Sequence, residues 1–416
     1  MIESLLDYDV AIIGAGPAGL AAAIELKHQG VARVAVLERD AEAGGIPRHC
    51  GHPPFGMREY RRVLSGPAYA RRNVERARAA GVELRLRHSV VALGEGGVID
   101  AASPEGQVRI VAKRVLLATG ARETPRSTRL ISGDRPFGVI NTGALQSYLY
   151  LERLKPFSRP LIVGSELVAL SALLSCRRTG IKPVLMIEQA EKPLARWPLA
   201  LFPRLCGVPF ECSTRLESIE GRERVEAAWI RGSDEELRRI DCDGVLLTGR
   251  FVPESSLVRL SHLELDAGSG GPMIDQYGRC SDPAYFAAGN LLRPIETAGW
   301  SYREGRRIAA LIARDLTDPL PRSHPGIRLQ CLPPIRFCVP QRLVTPIGDG
   351  LAHLQLRTER PAKGILSVRG SAGVVWQRQV HLLPERRILI PLDRLRLAAG
   401  ESGLTIELEE NRERSR

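Results

Sequence analysis

Val10-Ala11-Ile12-Ile13-Gly14-Ala15-Gly16-Pro17-Ala18-Gly19 sets the architecture of this 416-residue chain. Four apolar residues run into glycines at GxGxxG spacing, and an alanine-rich helix follows from Leu20 to Gln29. A second apolar run, Val34 to Leu37, ends at Glu38. Strand, glycine turn, helix and a strand closed by an acidic residue make the βαβ unit that binds a dinucleotide. Gly14 permits the tight turn, Gly16 lets the backbone approach a pyrophosphate, and Gly19 lets helix and strand pack closely. The helix N-terminus offers its free N–H groups and its dipole to the diphosphate. Glu38 is placed to accept hydrogen bonds from ribose hydroxyls and to repel a 2′-phosphate, so the expected occupant is FAD or NAD.

The pattern occurs twice. Pro160-Leu161-Ile162-Val163 leads into Gly164-Ser165-Glu166-Leu167-Val168-Ala169, then a helix to about Arg178, then Val184 to Ile187 ending at Glu188. The interval from Gly14 to Glu38 recurs from Gly164 to Glu188. Each half then passes through β-rich sequence into a similar tail, Val115-Leu116-Leu117-Ala118-Thr119-Gly120-Ala121 and Val245-Leu246-Leu247-Thr248-Gly249. Two tandem Rossmann-like βαβ nucleotide-binding domains are therefore expected in an α/β fold. After Tyr285-Phe286-Ala287-Ala288-Gly289-Asn290 a helical stretch to about Leu316 reads as the chain returning to complete the first domain. Beyond Asp318 the texture is Pro-rich with short alternating runs, which argues for a small C-terminal all-β module. The expected divisions are 1–130 with 275–316 for the first domain, 131–274 for the second and 317–416 for the module.

Lys and Arg number 59 against 47 Asp and Glu, a net charge of +12. The arginines are scattered and never form a basic run with interleaved aromatics, which reads as a solvated surface and not as a nucleic-acid face. The apolar start is broken by Gly14, Gly16, Pro17 and Gly19, unlike a signal peptide or a membrane span. Eight cysteines occur without a CxxC pair, as expected of reduced thiols in a cytoplasmic or membrane-peripheral protein. His49, Cys50 and His52 lack an evident fourth ligand, so no metal site is expected.

With the tail Ala118-Thr119-Gly120-Ala121 and the later Ala287-Ala288-Gly289-Asn290, the sequence from about residue 8 to 316 resembles the two-dinucleotide-binding-domain flavoproteins, the superfamily of glutathione and thioredoxin reductases. The resemblance implies a glutathione-reductase-like arrangement and FAD as the first cofactor. It implies that Gly14, Gly16, Gly19, Glu38 and Gly45 meet the adenosine diphosphate half, and that Thr119, Gly120, Gly289 and Asn290 line the riboflavin half. Asn290 stands where that superfamily has Asp.

Two further departures matter more. Disulfide reductases use a pair of cysteines beside the flavin, whereas this chain offers only Cys50 early on, and five residues separate Cys206 from Cys212. In the second fingerprint the second glycine has become Glu166, which sets a carboxylate against a pyrophosphate. Glu166 is expected instead to offer its carboxylate to the helix N-terminus, and ordinary NAD(P)H binding is expected to be lost, leaving an adenine nucleotide held differently or nothing.

Gly44-Gly45-Ile46-Pro47-Arg48-His49-Cys50-Gly51-His52, Gly164-Ser165-Glu166-Leu167-Val168 and the Ala288-to-Trp300 segment resemble more narrowly the larger flavoprotein subunits of heteromeric amino-acid and amine dehydrogenases. That group includes the larger subunit of opine oxidase, the flavoprotein subunit of hydrogen cyanide synthase, and the alpha subunits of dye-linked proline and hydroxyproline dehydrogenases. This resemblance implies that the partner is a second flavoprotein subunit, with an amino-acid or amine substrate on the complex and an onward electron acceptor. Many such subunits end in an iron–sulfur module, but here only Cys331 and Cys338 lie in the C-terminal region, too few for a four-thiolate cluster. His49, Cys50 and Glu296 are the catalytic candidates near the flavin, with a structural loop and a helix-capping carboxylate as their plainer readings. Two other functions compete: a self-contained NAD(P)H-dependent flavin oxidoreductase, and a scaffold subunit whose FAD is structural.

Overall fold

The structure is a computed structural model that describes residues 4–294, 296–322, 326–384, 386–398 and 400–410. The chain folds into two compact units. The first takes the chain up to Gly45, Ala70–Ala121 and the chain from Pro253 onward; the second takes Ile46–Tyr69 and Arg122–Val252. The chain thus changes unit at 121/122 and 252/253, against expected boundaries at 130 and 275, and residues 46–69 join the second unit.

In the first unit the strand Ser4–Ile13 lies parallel to Val34–Glu38 on one side and to Gly106–Leu117 on the other. Val10 pairs with Val34 and with Arg114, and Tyr285–Ala287 adds a parallel strand beyond Val115–Leu117. Helices cover such a sheet, so its strands are apolar at nearly every position and not alternating; Val34–Glu38 is buried throughout. Ser89–Leu93 and Val98–Ser103 form the expected antiparallel meander on Gly106–Leu117. The closing helix Ala298–Thr317 buries Tyr302, Gly305, Ile308, Ala309 and Ile312, a helical three-to-four spacing. It packs on the fingerprint helix Pro17–His28 so closely that a Cβ on Gly305 would stand 2.1 Å from the Ala18 carbonyl oxygen.

The C-terminal strands form a five-stranded and a three-stranded sheet around Leu354, Leu356, Leu366, Ile390 and Ile406. Phe337, Val339 and Val344 instead join the core of the first nucleotide-binding sheet. This explains why the module and that sheet form one compact unit.

The second unit repeats the plan with a five-stranded parallel sheet centred on Pro160–Val163, flanked by Leu185–Ile187 and Gly244–Leu247. Its meander, Arg215–Glu220, Ala227–Arg231 and Leu237–Asp241, is antiparallel. The α/β expectation of two tandem Rossmann-like sheets with C-terminal β-structure therefore holds.

Because Gly305 is the contact point between the two helices, Gly305→Val is expected to destabilise the protein by about 3 kcal/mol or more, through overpacking against backbone that cannot yield. Thermal unfolding of the variant beside the native chain measures this directly.

Candidate functional site

The first fingerprint is shaped by contacts that exclude side chains. Gly14 has φ +105°, and a Cβ there would lie 2.6 Å from the Ala118 carbonyl oxygen; a Cβ on Gly19 would lie 2.0 Å from that of Gly14. Gly16 differs in kind. A Cβ on it would meet nothing within 4 Å, so the turn leaves open space at the N-terminus of a 12-residue helix. No side chain caps that helix, so its first N–H groups are left for a ligand.

Glu38 holds this turn in place. Its Oε2 accepts the Ala15 N–H at 2.9 Å and its Oε1 the Asp40 N–H at 3.0 Å. The loop from Asp40 returns so that the Gly44 N–H donates to the Ala15 carbonyl at 2.9 Å, and Gly45 sits against the Gly16 backbone.

Gly289, on the loop entering the closing helix, donates its N–H to Glu304 Oε2 at 2.8 Å, and Arg293 donates to the other oxygen of Glu304. Among the described residues, Ser301 Oγ and Arg293 Nε and Nη1 are buried without a hydrogen-bond partner. Buried donors of this kind call for an acceptor. Ser301 Oγ would lie 3.8 Å from a Cβ on Gly289. An open cradle at Gly16 and orphaned donors beyond Gly289 fit an extended ligand bearing a diphosphate, as FAD does.

Two of the expected riboflavin-side residues spend their side chains on the protein. Thr119 Oγ1 donates to the Glu254 carbonyl at 2.8 Å, and the Gly120 carbonyl accepts the Glu254 N–H at 2.9 Å. Asn290 Nδ2 donates to the Glu296 carbonyl at 3.1 Å while its Oδ1 accepts the Glu296 N–H at 2.9 Å. Only an amide can do both at once, which gives a physical reason for Asn where related sequences carry Asp.

The catalytic candidates separate. Glu296 lies in the first unit, its carboxylate buried among arginines: Arg357 Nη2 at 2.7 Å, Arg387 Nε at 3.4 Å and Arg293 Nε at 4.0 Å. Arg387 also lies over the Trp300 ring at 3.7 Å. A carboxylate so engaged anchors C-terminal strands to the entry of the closing helix, and Thr297, not Glu296, is that helix's N-cap. His49 and Cys50 lie in the second unit, at the end of a short 3₁₀ turn, Ile46–His49. Cys50 Sγ donates to Gln146 Oε1 at 3.3 Å, and burial, with Glu123 adding, pushes the thiol up to about 12. The thiol therefore stays protonated at neutral pH and lacks the thiolate that redox chemistry requires. His52 is exposed, its Nδ1 2.9 Å from the Pro53 carbonyl oxygen. Among the described residues no three His, Cys, Asp or Glu side chains are arranged to hold a metal ion.

The second fingerprint reproduces the first except where a ligand would lie. Glu188 takes the place of Glu38: Oε2 accepts the Ser165 hydroxyl at 2.6 Å and Oε1 the Ala190 N–H at 3.0 Å. Glu166 has the backbone of Gly16, φ −74° and ψ 175° against φ −79° and ψ −175°. Its carboxylate runs into the glycine-lined space between Gly164 and Gly249; its oxygens lie 2.6 and 2.8 Å from where a Cβ on Gly249 and on Gly164 would stand. The expected capping role is not what forms, for no side chain caps the helix Leu167–Thr179. Instead Glu166 Oε1 has no partner among the described residues, and burial, reinforced by Glu188, raises its pKa. Where Gly44 and Gly45 close the first loop, Leu194 and Ala195 close the second, with N–H bonds to Ser165 Oγ at 2.9 Å and to the Ser165 carbonyl at 3.1 Å. Sequence reading missed this loop, although the repeat spacing pointed to it.

A second buried carboxylate, Glu123, accepts the Gly143 N–H at 2.8 Å and the Gly249 N–H at 3.2 Å. Arg129 beside it donates to the carbonyls of Thr124, Thr248 and Gly249 at 2.8 to 3.0 Å. Burial raises Glu123 to about 7.

A family model described as pyridine nucleotide-disulphide oxidoreductase matches residues 8–305. The chain belongs to that family. It is accordingly an oxidoreductase of the flavin-dependent class, with FAD as cofactor. It is 27% identical to the larger, A-type component of opine oxidase of Agrobacterium tumefaciens over 68% of this chain and 61% of that component. To the alpha subunit of sarcosine oxidase of Rhizobium meliloti it is 25% identical, over 91% of this chain and 36% of that one. The chain thus spans less than two thirds of both relatives. Dihydrolipoyl dehydrogenase of Rhizobium etli is 25% identical over 89% of this chain and 84% of the enzyme. Among solved structures, thioredoxin reductase of T. acidophilum superposes with a TM-score of 0.62 at 21% identity, covering 74% of this chain and 98% of that one. L-proline dehydrogenase of P. horikoshii gives 0.56 at 22%, covering 76% and 57%; both likenesses establish the fold. Within a disulphide-named family, all eight cysteines of this member are free.

Two outcomes follow from this geometry. Gly16→Val fills only open space, so the variant is expected to fold with native thermal stability yet purify without flavin absorbance. A stably folded variant that is fully yellow would contradict the cradle. For Glu123, a folded value of about 7 above the ordinary 4.5 means that stability present below pH 4.5 is withdrawn as the pH rises through 7. The loss is about 3 kcal/mol. Denaturant unfolding at pH 5 and pH 8 should show the drop, and Glu123→Gln should shrink it.

Proposed function

We propose that this chain is the FAD-bearing, electron-transferring subunit of a heteromeric dehydrogenase or oxidase acting on an amino acid or a secondary amine. Bound FAD supplies the two-electron redox centre. Gly14, Gly16, Gly19, Glu38 and Gly45 hold its adenosine diphosphate half. Thr119, Gly120, Gly289 and Asn290 line its riboflavin half, largely through backbone, because the side chains of Thr119 and Asn290 are engaged elsewhere.

The observation that carries this reading is the carboxylate of Glu166 in the space that its counterpart Gly16 leaves open. A chain whose second site opposes a pyrophosphate, and whose buried Cys50 is a protonated thiol, needs electrons from elsewhere. A partner subunit that oxidises the substrate supplies them, and the opine and sarcosine oxidase relatives bear the names of subunits. The NAD-linked relatives favour a self-contained NAD(P)H-dependent flavin oxidoreductase. That reading requires a nicotinamide dinucleotide to displace both Glu166 and the Leu194–Ala195 closure. A scaffold role with purely structural FAD is the remaining alternative.

The purified chain alone, assayed with a dye acceptor across amino acids and secondary amines, is expected to be inactive. Activity should appear when the chain is co-expressed with a neighbouring flavoprotein subunit. Full activity in the lone chain, with an amino acid or with NADH, would contradict the proposal.

A further inference from the structure

The segment from Lys192 to Phe210 contains Lys192, Arg196 and Arg204 and no acidic residue. From Arg196 it forms consecutive helical turns: the Ala200 N–H donates to the Arg196 carbonyl at 3.0 Å, and the Cys206 N–H to that of Phe202 at 3.0 Å. Its inner side is anchored, with Ala195 and Val208 in the core of the second unit and Phe202 packed against them. The outer side is apolar. Trp197 is 80% exposed, Leu201 42% and Leu205 74%, at spacings of four that place them in one row along the turns. Arg196 and Arg204 are each one position before a member of that row, so a cationic row runs beside the apolar one, and both arginines are exposed. No ion pair engages Lys192, Arg196 or Arg204 among the described residues.

An exposed apolar row of this size needs a covering partner. The adjoining cations, with no acid interspersed, require that partner to be anionic next to apolar. A helix lying in the plane of an anionic lipid surface meets both demands: aliphatic and indole groups enter the acyl boundary while arginines stay with the headgroups. We propose that the Arg196–Cys206 run docks this protein peripherally on an anionic lipid surface. This attachment is by one face only, and no described helix is long and apolar enough to cross a membrane. The proposal does not depend on the function assigned to the flavin.

The test is co-sedimentation of the full flavin-loaded chain with vesicles of phosphatidylcholine alone or mixed with phosphatidylglycerol. Binding to the mixed vesicles only, reversed by salt, is expected. Leu201→Asp with Leu205→Asp should weaken it at least about tenfold, and Arg196→Glu with Arg204→Glu should do likewise. These positions are exposed, so the variants should keep native melting and flavin content, which the same samples report. No binding to mixed vesicles, or binding untouched by either pair, overturns the proposal. So does a result in which both pairs abolish association with a partner subunit while the native chain ignores vesicles, since the row is then a protein interface.

Discussion

Direct backbone-to-backbone contact dictates where this molecule can hold a ligand. At the first fingerprint the Gly14 turn abuts the Ala118 carbonyl, Gly19 abuts Gly14, and Gly305 brings the closing helix onto Ala18. None of these contacts survives a side chain. Together they leave one gap, at Gly16, facing an uncapped helix N-terminus. Glu38 ties the turn to the next strand through two N–H groups, so the carboxylate usually read as a ribose ligand is also part of the framework.

The duplicated half separates framework from ligand site. Glu188 repeats the tie of Glu38, and Gly164 repeats the left-handed turn of Gly14, with φ +120° against +105°. The architecture therefore persists without the cofactor's requirements. What changes is confined to positions a dinucleotide would face: Glu166 for Gly16, and Leu194–Ala195 for Gly44–Gly45. A buried carboxylate with an unpartnered oxygen is costly. Its raised pKa relieves part of that cost, as it does for Glu123 nearby.

The tandem sheets were legible because their signals are local and periodic: apolar runs, glycine spacing and an acidic residue at a fixed interval. The substitution at Glu166 was legible for the same reason. Its side-chain direction was not, since helix capping and projection across the turn are equally available to a glutamate in sequence. Asn290 and Thr119 carried a ligand-binding signature, yet their side chains close loops onto Glu296 and Glu254, residues whose proximity depends on tertiary folding. Cys50 and Glu296 were hardest to read. Chemistry-bearing residue types marked them, whereas burial against Gln146 and among Arg293, Arg357 and Arg387 is set by segments distant in sequence.

One fingerprint accepts a dinucleotide and its copy rejects one. Anaerobic titration of the purified yellow protein with NADH, followed by dithionite, puts both halves of that statement to the test. The flavin band should be unchanged by NADH and bleached by dithionite. Rapid bleaching by NADH would show that a nicotinamide dinucleotide enters despite Glu166, and would contradict the rejection.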